Sequence, residues 1–180
     1  MNRRFDTFIY DLQTASQVWG GLIWQEFTHN RSIVLANLDD MFIVSMGLNN
    51  LNPQEGNWAL RIDDTKGQTL FSMSFGFVSP QSIFIASVQG VSSKKIDMRS
   101  SIKEVTKKCH GLRPHHLLIY VMQILREVWG LEKIQLINPK NHIKVRWNWR
   151  TNRIKFNYEA LWTDAGGSEC LDGNWILPNE

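Results

Sequence analysis

The chain has 180 residues, 43% of them hydrophobic and 21% charged. That is enough to bury a core in one compact domain, and it excludes a disordered chain. Net charge is +3, and the two cysteines, Cys109 and Cys170, are too few for a disulfide scaffold.

Phe5, Phe8, Ile9, Leu12 and Trp19 recur at helical spacing and predict an N-terminal amphipathic helix over 1–21, stopped by Gly20-Gly21. Leu22 to Phe27 is ambiguous. From residue 32 to residue 90 the pattern changes to strands. Ile33–Leu35 and Met41–Leu48 are β-branched runs separated by the turn-like Asn37-Leu38-Asp39-Asp40. Asn49 to Gly56 reads as a loop. Trp58, Leu60 and Ile62 alternate with polar partners, Asp64–Gly67 turns the chain, and Leu70–Val78 and Ser82–Gln89 follow. The expectation is an antiparallel meander of four or five strands.

Residues 101–137 predict helix, loop, helix and strand. Ser101-Ile-Lys-Glu104 has the spacing of a capping box, so a short helix should open there and run to about Cys109. Gly111 suits its end, and Pro114 suits the first position of a second helix. Leu117, Leu118, Val121, Leu125, Val128 and Trp129 form its apolar stripe, and Gly130 closes it. Ile134, Leu136 and Ile137 read as a short buried strand. In the tail, residues 140–180, Ile143, Val145, Trp147 and Trp149 alternate with Lys144, Arg146, Asn148 and Arg150. Ile154, Phe156 and Tyr158 continue that alternation, and Glu159 to Ala165 reads as one or two helical turns. The fold class is therefore a single-domain α+β protein with a mostly antiparallel sheet packed by helices.

Residues 1–70 carry five Lys/Arg against eight Asp/Glu, whereas residues 71–180 carry fifteen against nine. The second part is the expected meeting place for an anionic partner. Within it, Gln89, Gly90, Lys107, Lys108, His110, Gly111, Arg113 and His115 are the candidate anion-binding residues. The turn before Pro114 opens a helix whose first N–H groups and positive dipole end would stabilise a phosphate or carboxylate. Cys109, His110, His115 and His116 match no standard metal spacing, and neighbouring helical histidines diverge too far to share one ion, so no metal is expected. Lys144, Arg146, Arg150, Arg153 and Lys155 make a basic surface beside Trp147 and Trp149. Such a face suits an anionic lipid head group or, as a weaker reading, nucleic acid.

Ser87-Val88-Gln89-Gly90, then Thr106-Lys-Lys-Cys-His-Gly-Leu-Arg-Pro114, Phe156-Asn-Tyr-Glu-Ala-Leu-Trp162, Ala165-Gly-Gly167 and Asp172-Gly-Asn-Trp-Ile-Leu-Pro178 together resemble the VirK/YbjX family of bacterial proteins. The likeness runs from about Trp58 to Pro178. Family members are usually longer, and Leu161-Trp162-Thr163-Asp164 replaces an aromatic pair followed by Glu. The resemblance implies a virulence-associated accessory protein of the cell envelope, linked to tolerance of cationic antimicrobial peptides, with no catalytic residues to carry over. Two cysteines, no apolar run of membrane-spanning length and an amphipathic start unlike a signal peptide make a cytoplasmic location, at most peripheral to the inner membrane, the expectation. The element order is similar to the GNAT-type acyltransferase core. That comparison implies coenzyme A or an acyl carrier as donor; without it no cofactor is expected.

Overall fold

The computed structural model describes residues 3–91, 98–141 and 157–178. Two helices come first, α1 (Arg3–Val18) and α2 (Gly20–Asn30). Gly20 takes φ of 75° and bends the chain, and the helix resumes. The first helix thus ends at Val18, beside the expected Gly20-Gly21 stop, while a second helix over the ambiguous Leu22 to Phe27 was not expected. Glycine is a poor helix former, but packing overrides propensity here. The rings of Trp24 and Phe27 lie 6.1 and 5.7 Å from Trp19, and Phe27 lies 5.3 Å from Trp58.

Five antiparallel strands follow: β1 (Ser32–Leu38), β2 (Phe42–Leu48), β3 (Trp58–Asp64), β4 (Thr69–Ser79) and β5 (Ser82–Gly90). The predicted meander is present, with β1 reaching further than expected, to Leu38. Asp39 and Asp40, at φ of 43° and 31°, make its turn. Helices α3 (Met98–Lys108) and α4 (Pro114–Val128) then cross over to β6 (Lys133–Leu136), which pairs parallel to β5. A parallel partner needs such a crossover, because a tight hairpin can only reverse the chain. The predicted capping box is corrected: α3 begins at Met98, so Ser101 lies within the helix and does not cap it. Pro114 does open α4, and Gly130 (φ 63°) closes it, with Leu131 N–H bonded to Arg126 O at 2.9 Å.

Tyr158 was expected to continue a strand. It instead begins α5 (Tyr158–Asp164), because Asn157 caps that helix by accepting from Ala160 N–H at 3.0 Å. The short β7 (Ser168–Glu169) and β8 (Trp175–Leu177) complete an eight-stranded sheet in the order β1-β2-β3-β4-β5-β6-β8-β7. The alternation expected from Ile143 to Phe156 lies outside the described residues. The result is a single-domain α+β fold with a mostly antiparallel sheet.

Cross-strand partners share a face of the sheet, so the register sorts the side chains. One face carries Trp58, Leu60 and Ile62 opposite Phe75, Met73 and Phe71, all fully buried. Helix α4 packs on β3 and β4 there. The other face is different. Ser45, Arg61, Ser72 and Gln89 stand in one row across β2 to β5, and Gly47, Ala59, Ser74 and Ser87 stand in the next.

Candidate functional site

The polar face is buried, yet it is built of small and hydrogen-bonding groups. Buried polar groups need partners, and a loop supplies them. Asn49 side-chain N–H groups donate to Asn52 O, Gly56 O and Ser74 Oγ at 2.8, 2.9 and 3.0 Å, while its Oδ1 accepts from Asn52 N–H. These bonds fold residues 49–57 over the sheet around the short helical turn Pro53–Glu55. Gly56 sits at φ of 135°, and a Cβ there would lie 2.6 Å from Phe75 O. Only glycine allows that approach. The consequence is the position of Glu55, a carboxylate only 5% exposed. Its Oε2 accepts from Ser87 Oγ at 2.6 Å and from Gln89 Nε2 at 3.2 Å.

The same region is where the sheet opens. Strand β5 pairs with β6 from Ser82 to Ile85, and Ile137 N–H adds a last bond to Ile85 O at 3.0 Å. Beyond it β5 runs on to Gly90, and among the described residues no strand pairs with that edge. Ser74 faces Ser87 and Phe75 faces Ile85, so Ala86 is an extra residue, a bulge that re-aims the strand at this point. The backbone of Val88 turns into the gap. Its N–H donates to Tyr158 Oη at 3.3 Å, and that hydroxyl donates to Val88 O at 3.2 Å. Ladder alternation points Gly90 the same way. Burial, joined by the nearby Glu55 charge, pushes the Tyr158 phenol up to about 12 even though the Val88 bond opposes it. Tyr158 therefore keeps its proton at physiological pH.

On the N-terminal side of this gap lies a cavity of about 600 Å³. Its walls come from α1, the 53–57 loop, β4, β5 and the segment after β6. Asp11, 2% exposed, borders it. Oδ1 of Asp11 accepts from Phe77 N–H at 2.9 Å, and Oδ2 accepts from the Asn57 side-chain amide. Burial raises this carboxyl above its ordinary value, and those two bonds work against the shift.

The candidate anion residues divide. Gln89 and Gly90 end β5 beside the gap. His115, in the first turn of α4, places its ring 5.5 Å from Phe71, the cross-strand partner of Gly90, on the α4 face, whereas the Gln89 side chain turns to the other face and bonds Glu55. Burial, with His116 and Arg113 adding positive charge, lowers the His115 imidazole to about 4. Arg113 occupies the N-cap position, exposed and making no side-chain cap. His110 (φ 52°) and Gly111 (φ 97°) form the exposed turn, where Gly111 N–H bonds Thr106 O at 2.8 Å. Lys107 is exposed in the last turn of α3. Lys108 instead pairs with Asp39 at 2.9 Å. Among the described residues, none of this turn lines the 600 Å³ cavity. Lys144, Arg146, Arg150, Arg153 and Lys155 lie outside the described residues. Among the described residues no three His, Cys, Asp or Glu side chains are grouped to hold a metal ion, and no helix is long and apolar enough to cross a membrane.

Glu55, Asp11 and Tyr158 were missed from sequence. Glu55 leaves no spacing signal, because a loop brings it to the site. Asp11 reads as one polar residue of an amphipathic helix. Tyr158 had a legible signal, the Asn157 cap followed by Glu159 in the first turn.

A single-domain α+β fold with an eight-stranded, mostly antiparallel sheet defines the structural class. The chain belongs to the family described as "Protein of unknown function (DUF535)", which it matches over residues 1–180. An uncharacterized protein of Haemophilus influenzae is 30% identical over 177 residues, covering 98% of this chain and 59% of that relative. "Membrane protein LapB" of Mannheimia haemolytica is 31% identical over 100 residues, 55% of this chain and 43% of the relative. "Uncharacterized protein YbjX" of Escherichia coli is 25% identical over 130 residues, 69% of this chain and 39% of the relative. The sequence motifs thus led to the right family. The chain spans about half the length of the curated relatives it matches. No solved structure matches it significantly.

Proposed function

We propose that this domain transfers an acyl group from a thioester donor whose extended arm lies along β5, in the gap beside β6. The observation that carries this reading is the five-residue stretch of β5, Ala86 to Gly90, that continues past its last bond with β6. An extended chain bearing amide groups pairs with such an edge as an added strand would. Coenzyme A and acyl carriers are donors of that kind. In the transfer the bond from acyl carbon to sulfur breaks and a bond to an acceptor nitrogen or oxygen forms. The acceptor's proton passes to the released thiolate. Tyr158 keeps its proton and gives it to Val88 O, so its part is to hold the β5 backbone in place at this edge. The phosphates of the donor would then meet the first turn of α4, with Gln89, Gly90, His115 and Arg113 nearest and Lys107, Lys108, His110 and Gly111 behind them.

Thermal unfolding with millimolar octanoyl-coenzyme A tests this. A stabilised transition is expected, as mass action requires for any ligand of the folded state. Tyr158→Phe and Arg113→Ala should each weaken it. No shift with octanoyl-coenzyme A or with an acyl-loaded carrier protein would refute the reading.

A second reading concerns where the protein works. The relative named "Membrane protein LapB" and the VirK/YbjX resemblance support a virulence-associated accessory role at the bacterial envelope, including tolerance of cationic antimicrobial peptides. The domain would sit in the cytoplasm, held at the inner membrane by anionic head groups. Peptide-killing assays on a deletion strain, complemented with wild type or Tyr158→Phe, test the role. Unchanged survival of the deletion strain would refute it.

A further inference from the structure

The 600 Å³ cavity is bordered by Asp11, a carboxylate with no cationic partner among the described residues. The charged side chains among its described walls are two carboxylates, Asp11 and Glu55, with no lysine or arginine. The rest of the wall is largely apolar, with Pro53, Val78, Phe84, Ala86 and Ile137. Asp11 is almost fully buried, yet both its hydrogen-bond donors, Phe77 N–H and the Asn57 amide, are neutral. The ion pairs among the described residues do not include it. A buried carboxylate is normally matched by a cation, because its desolvation is otherwise uncompensated. Here the two neutral bonds leave lone pairs on both oxygens, and open volume lies beside them.

We infer that this cavity takes a ligand carrying a protonated amine on an apolar chain, with the ammonium group against Asp11 and the chain along Phe84 and Ile137. The burial that raises the Asp11 carboxyl is the cost an incoming cation would offset. The inference goes beyond acyl transfer and does not need it, since cation binding stands whether or not a thioester occupies the gap.

The test uses the whole chain without any thioester. Binding of n-hexylamine, n-hexanol and hexanoate is compared by ligand-observed NMR and titration calorimetry. Hexylamine should bind about tenfold or more tighter than hexanol, as expected for one charge-assisted hydrogen bond, and hexanoate weakest. Shortening the amine to n-butylamine should weaken binding, through loss of apolar contact. Asp11→Asn retains an oxygen for Phe77 N–H and should abolish the preference of amine over alcohol. If that variant does not fold, the wild-type charge series still decides. Equal binding of hexylamine and hexanol, no binding of either, or a folded Asp11→Asn protein with its preference intact would overturn the inference. Failure of octanoyl-coenzyme A to bind would leave it standing.

Discussion

The two faces of the sheet are made by the same strands, and they are built on opposite plans. On the α4 face, Trp58, Leu60, Ile62, Phe71, Met73 and Phe75 are buried as apolar bulk. On the other, Ser45, Ser72, Ser74 and Ser87 are just as buried but small and polar, roofed by a loop that holds Glu55. Burial alone therefore does not distinguish core from site. The first face is what folding needs. The second spends stability on polar groups and leaves a cavity and an open strand edge beside them, which is the arrangement of a binding surface.

That contrast can be broken by substitution. Phe75→Ala removes a fully buried ring and should cost about 3–5 kcal/mol in a chemical-denaturation experiment. A loss under about 1 kcal/mol would mean the α4 face is not the core. Acid should act on the same face through His115. Its folded value lies below the ordinary 6.5, at about 4, so the folded state favours the neutral ring. As pH falls through 6.5 the unfolded chain takes the proton first. Stability present above pH 6.5 is then lost down to about 4, on the order of 3 kcal/mol in all. Denaturation midpoints at pH 7.5 and 4.5 should differ less for His115→Gln than for wild type.

On the polar face the effects should be smaller. Gly56→Ala forces a Cβ against Phe75 O and a strained φ, costing about 1–3 kcal/mol. Because the loop carries Glu55, it should also disturb ligand binding. Ser87→Ala removes one bond to Glu55 and should cost about 1 kcal/mol while leaving the fold intact. Smallest of all, Lys108→Ala breaks an exposed ion pair with Asp39 and should change stability by less than about 0.5 kcal/mol. A larger loss there would show that the α3–α4 turn is more than a solvated connection.

The core face was legible in the sequence because period two is a local property. Trp58, Leu60 and Ile62 announce a half-buried strand without reference to anything else. The break at Gly20 was legible, but the second helix was not, since the contacts of Trp24 and Phe27 that support it include distant residues. The candidate anion residues were picked by their place in the chain, and the fold puts Gln89 on the polar face, bonded to Glu55, and His115 on the α4 face, beside Phe71. Glu55 and Asp11 were invisible because their significance lies in what a loop and a helix bring beside β4 and β5. The Tyr158 hydroxyl meets Val88 across seventy residues of chain, a distance no motif spacing reports.

The central claim is that the backbone of β5 beyond Ile85 is a docking edge for a thioester arm. Amide chemical-shift mapping with octanoyl-coenzyme A tests it most directly. The account predicts the largest changes at Val88, Gly90 and Tyr158, and little at the buried amides of β2 and β3. Changes confined to other surfaces, or none at saturating ligand, would contradict it.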